Sequence, residues 1–276
     1  MNPLKSVQWL NENKNNPKLI VLEASLKSTA NETNAIINQH IPNALSFDIS
    51  TVFSDTSNSL PNMVPSEAQF TAAAQNLGID SDSIIVVYDT IGVYSSPRAW
   101  WLFLTMNHAP VFVLDGGLPE WIANDYATSA TLKTPNVKGD FIAKYKPALI
   151  SNRFDILENL DTQTKTVIDA RSPDRFAGIT LDSRKEARSG HIPHSKNIFF
   201  EAVLNGTTLK SKAELASIFE TVVAEDKPLI FTCGSGITAC IDALAATVVG
   251  IENLSIYDGS WSEWGMLPEA PVETKQ

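Results

Sequence analysis

Leu229-Ile230-Phe231-Thr232-Cys233-Gly234-Ser235-Gly236-Ile237-Thr238 runs a short apolar stretch straight into a glycine-punctuated loop. Leu229 to Thr232 lie between breakers and read as a buried strand. Beyond the loop, apolar residues recur at helical spacing to about Val249. A helix from Ser211 to Val223 precedes the strand, with Ser211 and Glu214 spaced as a capping box after Thr207-Thr208. The first half of the chain repeats this order. Ser66 to Leu77 reads as a helix, Ile84 to Tyr88 as a strand, then a loop opens at Asp89 and a helix starts at about Pro97. Whole words recur as well. His40-Ile41-Pro42-Asn43-Ala44 returns as His191-Ile192-Pro193-His194-Ser195, and Asp115-Gly116-Gly117-Leu118-Pro119-Glu120-Trp121 as Asp258-Gly259-Ser260-Trp261-Ser262-Glu263-Trp264.

Repeated words in one order mark a duplicated plan. Strands alternating with helices predict α/β domains, each a parallel sheet with helices on both faces. The expected domains are residues 1–123 and 148–276. The stretch 124–147 carries Pro135, Gly139 and Pro147 and little periodic pattern, and reads as the linker.

Composition narrows the function. A chain of 276 residues with 43% hydrophobic content has room for two cores. Thirty-one acids against twenty-one bases leave a formal charge of −10, which argues against nucleic acid and anionic membrane surfaces as partners. No apolar run is long enough to span a bilayer, and Met1-Asn2-Pro3-Leu4-Lys5 opens no signal peptide. Two cysteines make no disulfide framework, so a cytoplasmic location is expected. Two Cys and four His are too few and scattered for a metal site, and no cofactor is expected.

The halves diverge at the loop after the strand: Asp89 opens it in the first, Cys233 in the second. Ligands bind at strand ends in open parallel sheets. A loop with Gly234 and Gly236 can turn its N–H groups inward as an anion nest, and the helix behind adds its positive end. Both effects favour thiolate over thiol and make Cys233 a nucleophile. Cys240, two turns into the apolar helix, reads as core. A cysteine phosphatase would need an Arg at the far end of the loop, and Thr238-Ala239-Cys240 stands there instead.

Cys233-Gly234-Ser235-Gly236-Ile237-Thr238 resembles the active-site loop of the mercaptopyruvate sulfurtransferases, within the rhodanese superfamily. Ser96-Pro97-Arg98-Ala99-Trp100-Trp101, the words at Asp115 and at Tyr257-Asp258, and Asp89 in place of Cys in an inactive first domain extend the resemblance over nearly the whole chain. It implies two tandem rhodanese-like domains and a two-step cycle. The Cys233 thiolate takes sulfur from a donor as a persulfide, and an acceptor removes the outer sulfur. The loop residues Gly234, Ser235, Gly236, Ile237 and Thr238 would cradle that charge. Cyanide, small thiols or a thioredoxin-like protein are the acceptors the family offers.

Thiosulfate-using rhodaneses typically carry basic residues at the second and third loop positions. Gly234 and Ser235 are neutral, which favours 3-mercaptopyruvate with its single carboxylate. Arg175 and Arg184 resemble the family's two substrate arginines and suit a carboxylate clamp. Arg171 in Asp169-Ala170-Arg171 is expected to hold the fold. The family also joins Ser235 to a His and an acid in a relay that polarises the donor. The matching residue is His40, which would put the site between the domains; a structural hydrogen bond at a domain boundary is the alternative. Glu32 is the nearest acidic candidate upstream of His40. A thiosulfate sulfurtransferase and a persulfide carrier that does not turn over are the other readings.

Overall fold

The computed structural model describes residues 2–24, 26, 38–223 and 227–274. The chain divides into two units. The first comprises Met1–Ser57, Val64–Lys146 and Leu204–Leu209; the second comprises Asn58–Met63, Pro147–Val203 and Lys210–Gln276.

In the first unit the elements are β1 (Leu4–Lys5), α1 (Val7–Asn13), β2 (Leu19–Glu23), β3 (Leu45–Ser46), α2 (Glu67–Asn76), β4 (Ile84–Tyr88), α3 (Ser96–Thr105), β5 (Val111–Leu114) and α4 (Gly117–Ala123). Their strands form a parallel sheet in the order β1-β5-β4-β2-β3. The second unit runs β6 (Ile150–Ser151), α5 (Arg153–Thr162), β7 (Thr166–Asp169), α6 (Pro173–Ala177) and β8 (Lys196–Asn197). The hairpin β9 (Leu204–Asn205) and β10 (Thr208–Leu209) intervenes and belongs to the first unit. The second unit resumes with α7 (Lys212–Val222), β11 (Leu229–Thr232), α8 (Ala239–Val249), β12 (Leu254–Tyr257) and α9 (Ser260–Trp264). Its parallel sheet has the order β6-β12-β11-β7-β8, the first order repeated.

The central strands β4 and β11 are apolar along their length because helices cover both faces of a parallel sheet. In the first unit Val86 and Tyr88 pack with Leu10 and Trp121; in the second, Ile230 packs with Tyr257, Trp261 and Trp264. The caps read from sequence are present. Ser66 Oγ accepts from Gln69 N, and Ser211 and Glu214 close a reciprocal capping box. Thr208, expected near that helix start, instead pairs in the hairpin with Asn205.

The repeated His-Ile-Pro word is a turn. Ile41 and Ile192 are buried, Asn43 and His194 take left-handed φ of 66° and 64°, and the next N–H donates back to the Ile carbonyl at 3.1 Å in both copies. Each turn delivers the chain into the edge strand, β3 or β8.

The stretch 124–147, expected to link the domains, lies on the first unit as far as Lys146. Ser129 bridges to His40, Lys133 N donates to Ala44 O, Phe141 N to Ile79 O and Lys146 N to Thr105 O. Phe141 and Ala143 are buried. The segment is extended and bonded through its backbone, so it has no side-chain period for sequence reading to detect. Among the described residues no helix is long and apolar enough to cross a membrane.

Candidate active site

Cys233 stands at the carboxyl end of the central strand β11, with 2% of its surface exposed. The Asp258–Trp264 word explains why the loop holds its course. Cys233 N donates to Ser260 Oγ at 3.3 Å, and Ser260 Oγ donates to Tyr257 O at 2.8 Å. Trp261 N donates to Cys233 O at 3.0 Å and Ser262 N to Gly234 O at 2.9 Å. The start of α9 therefore pins the first two loop carbonyls. At the far end the Cys240 thiol donates to Gly236 O at 3.3 Å. Cys240 is fully buried, as its apolar surroundings suggested.

With its carbonyls engaged, the loop presents its donors. Among the described residues the N–H groups of Gly234, Ser235, Ile237 and Thr238 find no protein acceptor. Gly236 takes φ +77°, the left-handed geometry that lets successive N–H groups turn to one side. The following helix α8 adds its positive N-terminal end.

The first unit shows what such a loop holds when it has no cysteine. Asp89, fully buried, accepts from Ile91 N at 3.1 Å, Tyr94 N at 2.8 Å, Ser95 N at 3.0 Å, Ser96 N at 3.0 Å and Ser96 Oγ at 2.8 Å. Burial pushes its carboxyl up, and those donors oppose the rise. The donors that could stabilise an anion there are taken by the chain's own carboxylate. Leu118 N also donates to Asp89 O at 3.0 Å, the counterpart of Trp261 on Cys233.

Arg175 and Arg184, singled out by sequence, do meet at the loop. A Cβ on Gly234 would lie 3.7 Å from Nη2 of each, and Arg184 Nη1 donates to Gly234 O at 2.9 Å. Two guanidinium groups so close explain a neutral residue at 234, since a basic side chain there would meet two like charges. Both arginines bond Asp182. Burial works to raise the Asp182 carboxyl, and the hydrogen bonds from Arg184 and Arg175 overcome it and hold the group well below the usual carboxylate range. Ser235 Oγ accepts from Asn62 Nδ2 at 3.2 Å, leaving its own O–H to donate elsewhere.

Arg171 plays the expected scaffold role. It makes a bidentate pair with buried Asp169, Nη2 at 2.6 Å from Oδ2, donates to Gly190 O and stacks 4.0 Å over Trp261. Asp242, in α8, is fully buried, and both its oxygens lack a hydrogen-bond partner among the described residues. Burial, then the Cys233 charge, then Asp169 push its carboxyl far up.

His40 lies in the first unit. Its Nδ1 is 2.7 Å from Glu23 Oε2, which also accepts from Tyr88 Oη at 2.6 Å. Glu23, at the end of β2, is thus the acid paired with this histidine; Glu32 lies outside the described residues. The repeat partner His191 bonds the Phe176 carbonyl through Nδ1 instead. Sequence reasoning missed Glu23, Asn62, Asp182 and Asp242. Only Glu23 carried a signal, an acid closing an otherwise apolar strand.

Residues 6–124 and 155–267 both match the Rhodanese-like domain. The chain is 35% identical to the 3-mercaptopyruvate sulfurtransferase of Escherichia coli K12, across 96% of this chain and 95% of that protein. It is 38% identical to the mitochondrial thiosulfate/3-mercaptopyruvate sulfurtransferase 1 of Arabidopsis thaliana, across 99% and 78%. It is 36% identical to the thiosulfate sulfurtransferase of Rattus norvegicus, across 99% and 94%. Among solved structures, SseA from Escherichia coli, a 3-mercaptopyruvate sulfotransferase with the rhodanese fold, superposes with a TM-score of 0.84 at 32% identity, covering 95% of this chain and all of that one. A duplicated parallel sheet, a cysteine opening the glycine loop at the end of the second central strand and a family match in each half agree: this chain belongs to the rhodanese family, with two rhodanese-like domains in tandem.

Proposed function

We propose that the protein is a sulfurtransferase that moves the sulfur of 3-mercaptopyruvate to a thiol or cyanide acceptor through a persulfide on Cys233. The observation that carries the reading is the Cys233–Thr238 loop at the end of β11, in which the N–H groups of Gly234, Ser235, Ile237 and Thr238 find no protein acceptor among the described residues. In the first step the Cys233 thiolate attacks the donor sulfur. The donor's C–S bond breaks, and its electron pair leaves as the enolate of pyruvate. That carbon takes the proton the transferred sulfur carried, giving pyruvate and an anionic persulfide. In the second step an acceptor nucleophile attacks the outer sulfur and the Cys233 thiolate returns. Preorganised donors around the sulfur stabilise the negative charge it carries in both states, as an oxyanion hole does for oxygen.

The donor assignment rests on charge. Gly234 faces the two arginines, whose fork geometry suits one carboxylate, and Ser235 beside it is also neutral. Thiosulfate is the second reading, since relatives named for either donor are about equally similar. Ser235, its oxygen already accepting from Asn62, is the proposed hydroxyl donor to the substrate carbonyl. For His40 the support is Glu23, which fixes Nδ1 and leaves Nε2 without a hydrogen-bond partner among the described residues. Small thiols, cyanide or a thioredoxin-like protein are the proposed acceptors. A reducing compartment such as the cytoplasm belongs to the same proposal, since neither Cys233 nor Cys240 is in a disulfide.

Steady-state turnover tests the donor. Pyruvate release from 3-mercaptopyruvate should exceed sulfite release from thiosulfate in kcat/KM with the same acceptor. The reverse preference would overturn the donor assignment and leave the persulfide cycle standing.

A further inference from the structure

Asp182 occupies the two arginines as a substrate carboxylate would. Its Oδ2 accepts from Arg175 Nη2 at 2.7 Å, and its Oδ1 accepts from Arg184 Nε at 2.8 Å. The Arg184 backbone N–H donates to Oδ1 at 2.9 Å, which locks the carboxylate to the segment that carries this arginine. The Asp182 side chain is 2% exposed, while the arginines keep 32% and 31% of theirs. Asp182 therefore faces inward and leaves the guanidinium groups partly open. Among the described residues Arg175 Nε and Nη1 bond nothing. Those donors are left for an incoming anion, and Nη1 lies 3.8 Å from the Gly234 Cβ position.

Within the clamp, Arg175 and Arg184 are positive and Asp182 negative, a net of one positive apart from the Cys233 thiolate. We propose that Asp182 sets donor specificity, by reducing the arginine pair to a single net charge that matches a monoanionic carboxylate and disfavours a dianion. The inference rests on the 3-mercaptopyruvate reading and deepens it. Attraction scales with the product of donor and site charge. Raising the site from one net charge to two strengthens binding of both donors, and the gain for a dianion is twice that for a monoanion. Asp182 is thus a positioning and charge-setting residue that acts through the arginines.

The test is Asp182→Asn, with Asp182→Glu as the conservative control and Asp182→Ser as a second neutral variant. The readout is kcat/KM for 3-mercaptopyruvate and for thiosulfate with cyanide as acceptor, at low and high ionic strength. For a partly solvated site, one extra charge pair predicts that Asp182→Asn moves the ratio about tenfold toward thiosulfate. Salt should shrink the shift, and Asp182→Glu should return the ratio toward wild type. Equal losses on both donors would show that Asp182 only orients the arginines. Equal gains would show that it competes with any donor for the clamp. Either result overturns the proposal. A wild-type enzyme that prefers thiosulfate would refute the donor reading alone, and an unmoved ratio in Asp182→Asn would refute the role of Asp182 alone.

Discussion

Replacing Asp242 by Asn tests whether the acid inside α8 is neutral in the folded protein. The carboxyl is fully buried and has no hydrogen-bond partner among the described residues. Burial, the Cys233 charge and Asp169 all push it up. Asp169 is itself paired with Arg171. The folded state therefore keeps a proton that the unfolded chain releases above about pH 4. A raised carboxyl contributes stability that is complete below the unfolded value and is lost as pH climbs toward the folded one. Through that window wild type should lose about 1.4 kcal/mol per pH unit from this group. Asn keeps the volume and removes the titration. At about 4 °C per kcal/mol for a unit of this size, the melting temperature of Asp242→Asn should gain up to about 6 °C on wild type for each unit of rising pH within that window. Thermal unfolding followed by circular dichroism from about pH 5 to about pH 8 measures it. Parallel curves for the two proteins would refute the reasoning and place an ionised, partnered Asp242 in the fold.

Arg171→Met should destabilise the protein by about 3–5 kcal/mol, because it strands the buried Asp169 carboxylate and strips the cation from Trp261. Urea unfolding checks this, and a change below about 1 kcal/mol would contradict the scaffold role. The two loop glycines should behave differently. Gly236→Ala places a side chain at φ +77°, at a cost of about 1–2 kcal/mol, and should lower kcat/KM at least as much as that energy implies. Gly234→Ala puts its Cβ in ordinary contact at 3.7 Å on backbone without a positive φ, and should cost less folding stability than Gly236→Ala. Equal losses of stability from the two substitutions would count against the left-handed geometry at Gly236.

The fold was legible where side chains follow a period or a word repeats. β4 and β11 begin and end at the residues the apolar runs marked, and α2 and α7 start at the serines read as caps. The placement of Cys233 was legible because a cysteine opening a glycine loop at a strand end is poor packing material. The arginines were legible only through the family resemblance. The rest depends on contacts distant in sequence or on backbone alone. Glu23 reaches His40 across seventeen residues, and Asn62 reaches Ser235 across 173. Asp182 sits in a charged stretch whose acids and bases look interchangeable until their partners are known. Asp242 is a lone acid in an apolar helix, and such a residue usually marks a solvent face. Here α8 is buried from Ala239 to Ala246, so no solvent face exists for it. Residues 124–146 dock by main-chain hydrogen bonds, which carry no side-chain signature.

The central claim is a persulfide on Cys233, and intact mass reads it directly. Purified protein would be mixed with 3-mercaptopyruvate, in parallel with thiosulfate, and compared with Cys233→Ser. The account predicts a gain of one sulfur atom from 3-mercaptopyruvate that is absent in Cys233→Ser and removed by cyanide. A gain that persists in Cys233→Ser, or no gain from either donor while turnover continues, would contradict it.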